Sequence, residues 1–194
     1  MLSWKRLNIL QIGLGTFFTF FYNLTNPSLV SPWLCDLLGP CHSNQLFGVG
    51  VEPVSKHVER LRPCIKRLEN TALVRAVVGK EKKIVDVYAI ASESESYLEA
   101  LGRLEPSDKE ACEEEILYLE NMSSVGKPHP GAADKCSQIR DHYEVSVELR
   151  QVQAMSFSYD DLSRLLCFSG TDVLVIDAEG EDCEILGSMI EHCM

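Results

Sequence analysis

Four consecutive apolar residues, Val173-Leu-Val-Ile176, lie between two carboxylates, Asp172 and Asp177. A run this short and unbroken predicts a strand buried on both faces of a parallel sheet. Leu7–Ile12 reads the same way and stops at the glycine turn Gly13-Leu-Gly15, with a helix expected from Thr16 to Asn23. Leu46–Val51 predicts another strand, ending on Glu52-Pro53. From Ser55 to Leu68 the pattern turns helical: Val58, Leu61, Ile65 and Leu68 share one face, Ser55 suits the N-cap, and Pro63 bends or breaks the helix. Ala72–Val78 predicts a third strand, and Ile84–Ala91 returns beside it as a hairpin across the polar Lys80–Lys83 turn. Residues 93 to 120 are acidic and partly helical, and Met122–Lys135, holding Gly126, Pro128, Pro130 and Gly131, predicts a loop. Alternation at Val145, Val147, Leu149 and Val152 predicts a strand over Tyr143–Gln153, and Ser158–Leu166 predicts a helix leading into the Asp172 strand. No internal repeat is visible.

Strands separated by helical stretches imply a single α/β domain over residues 1–194, a three-layer arrangement with a mostly parallel sheet. Two segments stand outside the alternation. Residues 25–45 form a loop or insertion with a short helical piece at Trp33–Leu38, and 93–140 form an acidic helix-and-loop insertion. In such sheets ligands bind beyond the carboxyl ends of the strands, which draws attention to Asp177, Glu179 and Glu181 and to the second strand end at Gln11-Ile-Gly13-Leu-Gly15-Thr16.

Composition narrows the partners. With 45% hydrophobic and 24% charged residues, the 194-residue chain is ordinary for a globular protein. Its formal net charge of -11 argues against nucleic acid and against anionic membrane surfaces. The eight cysteines are scattered without a C-x-x-C pair, so no metal site is expected, and reduced thiols in the cytoplasm are the preferred reading over secreted disulfides. The apolar stretch from Leu7 to Leu24 is interrupted by Asn8, Gln11, Gly13, Gly15, Thr16, Thr19 and Asn23, so no stable membrane span is expected; an N-terminal membrane anchor is the alternative.

The glycine turn poses the question of its ligand. A dinucleotide fingerprint wants a third glycine where Phe18 stands, and an acid about 20 residues on, whereas Glu52 lies farther away. S-adenosylmethionine has no pyrophosphate, and a strand-end carboxylate suits its ribose hydroxyls because an ionised acid accepts from two donors. Taken in order, Leu10-Gln11-Ile-Gly13-Leu-Gly15-Thr16, Gly50-Val51-Glu52-Pro53, Ala76-Val-Val-Gly79, the strand into Leu162, and Asp172 to Gly187 with its Ile-Asp177-Ala-Glu179-Gly180-Glu181 block resemble the successive blocks of FkbM-type methyltransferases over most of the chain.

That resemblance implies a Rossmann-like class I methyltransferase fold, S-adenosylmethionine as cofactor, and O-methylation of a small-molecule or glycan hydroxyl. It implies cofactor contacts at Gln11, Gly13, Gly15, Thr16, Glu52, Asp177 and Glu179, with Asp177 as the catalytic candidate that orients or deprotonates the acceptor. Three departures accompany it: Gln11 stands where the family carries an acid, Phe17 replaces the last glycine of the loop, and the sequence stops at Met194, before the strands that close the family's sheet. The expectation is a sheet lacking its last strands.

Structural readings compete at each position. Asp177 and Glu179 could cap the following helix, Glu52 could be a surface turn acid, and Phe17 to Tyr22 could be helix packing. His129 in the Gly/Pro loop is a further candidate base, with His57 and His142 behind it. Two other function classes stay open: a non-catalytic or truncated methyltransferase-like binding protein, and an NAD-dependent oxidoreductase.

Overall fold

The computed structural model describes residues 7–13, 46–66, 71–92, 94–167, 170–178 and 182–191. Among them are eight strands and six helices: β1 (Leu7–Ile12), β2 (Leu46–Val51), α1 (Ser55–Ile65), β3 (Thr71–Val74), β4 (Val77–Val78), β5 (Lys83–Ala91), α2 (Glu95–Gly102), α3 (Pro106–Glu120), β6 (Ser124–Val125), α4 (Ala132–Tyr143), β7 (Glu148–Phe157), α5 (Tyr159–Leu166), β8 (Val173–Ile176) and α6 (Asp182–Glu191). The protein is α/β, built on two four-stranded sheets.

The first sheet has the order β3-β2-β1-β8, and every pair in it is parallel. Register places Leu10 beside Val49 and Leu174, and Ile12 beside Val51 and Ile176. One face of the sheet is therefore a row of aliphatic side chains. Leu162 of α5 and Ile185 and Met189 of α6 pack onto it and bury Leu10, Ile12, Val49 and Val51 to 3% exposure or less. Each fully buried aliphatic contributes about 1.5–3 kcal/mol relative to exposure, so this row fixes the register.

The second sheet, β4-β7-β5-β6, departs from the expected single, mostly parallel sheet. β5 pairs antiparallel with β7 over nine positions, Lys83–Ala91 against Ser156–Glu148. This corrects the expected hairpin: β7 lies between β4 and β5. Ala72–Val78 is likewise two strands, with β3 joining the first sheet and β4 the second, parallel to β7. Nine ladder positions with β7 outweigh the two that β4 offers.

The segment expected to be a loop, Met122–Lys135, contains β6 and the start of α4. Ala132, Cys136, Ile139 and Tyr143 of α4 fall at helical spacing. They join Cys112, Ile116 and Leu119 of α3 in a core separate from that of the first sheet. The Pro/Gly cluster delimits the helix start, and Tyr143 ends this helix; the expected Tyr143 strand begins only at Glu148. Where α5 was expected from Ser158, that residue is its N-cap, its Oγ accepting from the Asp161 amide at 3.1 Å.

Among the described residues no helix is long and apolar enough to cross a membrane. The expected Thr16–Asn23 helix and the 25–45 insertion lie outside the described residues.

Candidate functional site

The chain runs outward from β1 through β2 to β3, then returns to place β8 on the other side of β1. Strand order reverses between β1 and β8, and a crevice opens at such a point beyond the carboxyl ends of the two strands. Backbone hydrogen bonds tie those ends together. The Gly13 amide donates to the Val51 carbonyl at 3.0 Å, and the Asp177 amide donates to the Ile12 carbonyl at 2.9 Å. Gly13 has φ +74°, and a Cβ there would lie 1.7 Å from the Asp177 carbonyl oxygen. Only glycine allows this approach.

A cavity of about 880 Å3 opens at this point. Its volume lies within the range of ligand clefts. Gly13, Glu52, His57, Asp177 and Glu184 line the end formed by the first sheet, while Lys80, Lys83, Asp86 and Lys127 line the end formed by the second.

Glu52 is 3% exposed and is not a surface turn acid. The turn after β2 folds back on it: its Oε1 accepts from the Val54 amide at 2.9 Å and lies 3.2 Å from Nδ1 of His57, itself buried in the first turns of α1. Its own backbone extends the sheet, the amide donating to the Val74 carbonyl at 3.0 Å and the carbonyl accepting from Ala76 at 3.3 Å. The carboxylate is thus held rigidly at a cavity wall.

Asp177 is exposed and lines the same cavity. The described part of α6 starts at Asp182, five residues on, and the Ala178 amide donates to Asp182 Oδ1 at 2.7 Å. Asp172, at the opposite end of β8, is structural: its Oδ2 accepts from the Asn8 amide at 2.9 Å.

Of the residues singled out in the sequence, Gly13, Glu52 and Asp177 meet in one cavity. Gln11 does not join them. It sits on the face of β1 opposite Leu10 and Ile12, register partner of Gly50, buried to 4%. Its Oε1 has no hydrogen-bond partner among the described residues. Gly15, Thr16, Phe17 and Glu179 lie outside the described residues. His129 lies away from the cavity, where its Nδ1 accepts from the Gly131 amide at 3.2 Å and shapes the turn before α4. The His142 ring packs edge-on against Tyr143 at 4.5 Å.

Sequence reasoning gave His57 too little weight. The available signal was its position: five residues after a strand-end acid, on the first turn of the next helix. That turn is anchored from below. Lys56 Nζ and Arg60 Nη1 each reach the buried Glu120 carboxylate at 2.6 Å, and Ser92 Oγ donates to it at 2.5 Å. Burial pushes the Glu120 carboxyl up, but the hydrogen bonds from Lys56 and Ser92, the Lys56 charge and the Arg60 contact outweigh it and hold the group below its ordinary range.

Among the described residues no group of His, Cys, Asp and Glu converges as a metal site. The chain matches no protein-family model, no curated protein and no solved structure.

Proposed function

We propose that this protein is an S-adenosylmethionine-dependent methyltransferase of the class I, FkbM-like kind, acting on a hydroxyl oxygen of a small molecule or glycan. One observation carries the reading: the glycine turn after β1, the buried acid after β2 and the acid after β8 line a single cavity at the point where a parallel sheet reverses its strand order. Each residue fits the cofactor. Gly13 keeps the strand ends close, leaving backbone in place of a side chain at the cleft floor. Glu52 is a fixed acceptor of the kind that pairs with ribose hydroxyls. No Lys or Arg lines this end of the cavity, which suits a cationic sulfonium and ammonium.

When bound, the cofactor supplies an electrophilic methyl group. The protein then has two tasks: to hold the acceptor oxygen about 3 Å from the methyl carbon, and to take up its proton. Asp177 is placed to do the second. Its carboxylate is exposed in the cleft and has no side-chain partner among the described residues. Gln11 takes no part in the cavity, and the family's acid at this position has no counterpart here.

The test is Asp177→Asn with radiolabelled cofactor and a hydroxyl-bearing metabolite extract. Asn keeps the shape but not the base, so transfer should fall by about a hundredfold or more while cofactor affinity changes little. Normal transfer by the variant would remove Asp177 from the chemistry. Cofactor binding without any transfer by the unaltered protein would favour a binding protein instead.

A further inference from the structure

Acids from the first-sheet side and lysines from the second-sheet side line one cavity. At the end formed by the first sheet, Glu52, Asp177 and Glu184 line it with no lysine or arginine among them. On the side formed by the second sheet, the three lysines Lys80, Lys83 and Lys127 line it together with two acids, Glu81 and Asp86. In a chain of net charge -11 a basic cavity end is unexpected from composition.

Nearby lysines have partners. Lys83 Nζ is 3.0 Å from Glu81, and Lys82 sits over the Phe157 ring at 5.5 Å from its centre. Lys80 and Lys127 make no ion pair among the described residues.

Both stand on fixed backbone. Lys80 follows Gly79, whose amide donates to the Phe157 carbonyl at 2.9 Å. Lys127 follows Gly126, which has φ +77° and donates to the Asp86 carbonyl at 2.9 Å. The Lys127 carbonyl accepts from Ser124 Oγ at 2.7 Å. These bonds anchor the bases of two exposed cationic arms that line the cavity from different turns.

Resting on the transferase reading, we propose that the methyl acceptor is a small anionic hydroxyl compound whose phosphate or carboxylate is held by Lys80 and Lys127. The acidic end takes the cationic cofactor and the basic end the anionic acceptor, so charge orients both ligands toward each other. A neutral sugar would leave Lys80 and Lys127 without an ion pair to a ligand.

The experiment measures binding of glycerol 3-phosphate, glycerate and glycerol to the protein saturated with S-adenosylhomocysteine. A matched series uses Lys80→Gln/Lys127→Gln. Both positions are exposed, so the variant should fold normally. One or both anions should bind more tightly than glycerol, and the double variant should weaken that anion by about tenfold or more, as expected for hydrogen bonds to charged groups. The phosphate and carboxylate arms decide between the two anions. Equal binding of all three probes, or anion binding unchanged in the double variant, would overturn the proposal. S-adenosylhomocysteine affinity is titrated separately in both proteins and should be the same. No S-adenosylhomocysteine binding by either protein would refute the transferase reading, and the same anion titration on the protein alone would still report on Lys80 and Lys127.

Discussion

Glu52 offers the sharpest separation of fold from function. Its Oε1 serves the Val54 amide and the His57 ring, and all three residues are buried. Glu52→Ala removes that acceptor. Each buried polar group left without a partner costs about 1–3 kcal/mol, so the variant should lose about 2–5 kcal/mol of stability. For a chain of this size that lowers Tm by about 5–20 °C. Glu52→Gln keeps an acceptor oxygen and should lose only about 1 kcal/mol, since a neutral acceptor bonds less strongly than a charged one. The ligand measurement is independent. If the carboxylate also holds a ribose, S-adenosylhomocysteine should bind about 1.5–3 kcal/mol more weakly to the Ala variant, at a temperature where it is still folded. Thermal melts followed by circular dichroism and calorimetric titration supply the two numbers. A Glu52→Ala protein that melts like the unaltered one would refute the buried-network reasoning. A lowered melt with unchanged affinity would refute the ribose contact and keep the network.

Gly13→Ala places a methyl 1.7 Å from the Asp177 carbonyl and forces a side chain into positive φ, so it should lose about 3 kcal/mol or more and displace the β1 and β8 ends; a melt within 2 °C of the unaltered protein, about the effect of well under 1 kcal/mol, would contradict the close approach. Glu120→Gln breaks the clamp on α1 and should cost about 2–3 kcal/mol, less than a fully buried pair because Arg60 stays half exposed. The pH dependence has a definite sign. Glu120 is held below its ordinary value of 4.5, so its contribution is full above that value and is lost as pH falls through the depressed folded value. Urea melts from pH 7 down to pH 3 should therefore show a flatter acid limb in Glu120→Gln, and parallel limbs would sink the assignment. Cys112 is buried, and burial, with Glu115 and Glu113 nearby, pushes its thiol up to about 11, so it should resist alkylation at pH 8 while the exposed Cys167 and Cys183 react; rapid labelling of Cys112 in the native state would disprove this.

Apolar runs determined β1, β2 and β8 to the residue, because each is short, rich in Leu, Ile or Val, and bounded by turn residues or a carboxylate. The same runs determined which ends carry chemistry, since Gly13, Glu52 and Asp177 each follow directly on one of them. Helical spacing determined α1 and α5, and would have shown α4 had Ala132, Cys136, Ile139 and Tyr143 been read as one stripe past the proline cluster. Strand partnership was not local information. Only the tertiary structure decided that β7 lies between β4 and β5, because a nine-position antiparallel ladder competes with a short turn and its energy depends on residues some 65 positions apart. Only the tertiary structure turned Gln11 away from the cavity, gave Glu52 its buried partner His57, and set two lysines from separate turns against an acidic cleft. Periodicity assigns a side chain to a face of its own strand or helix; what that face meets is decided by the packing of elements distant in sequence.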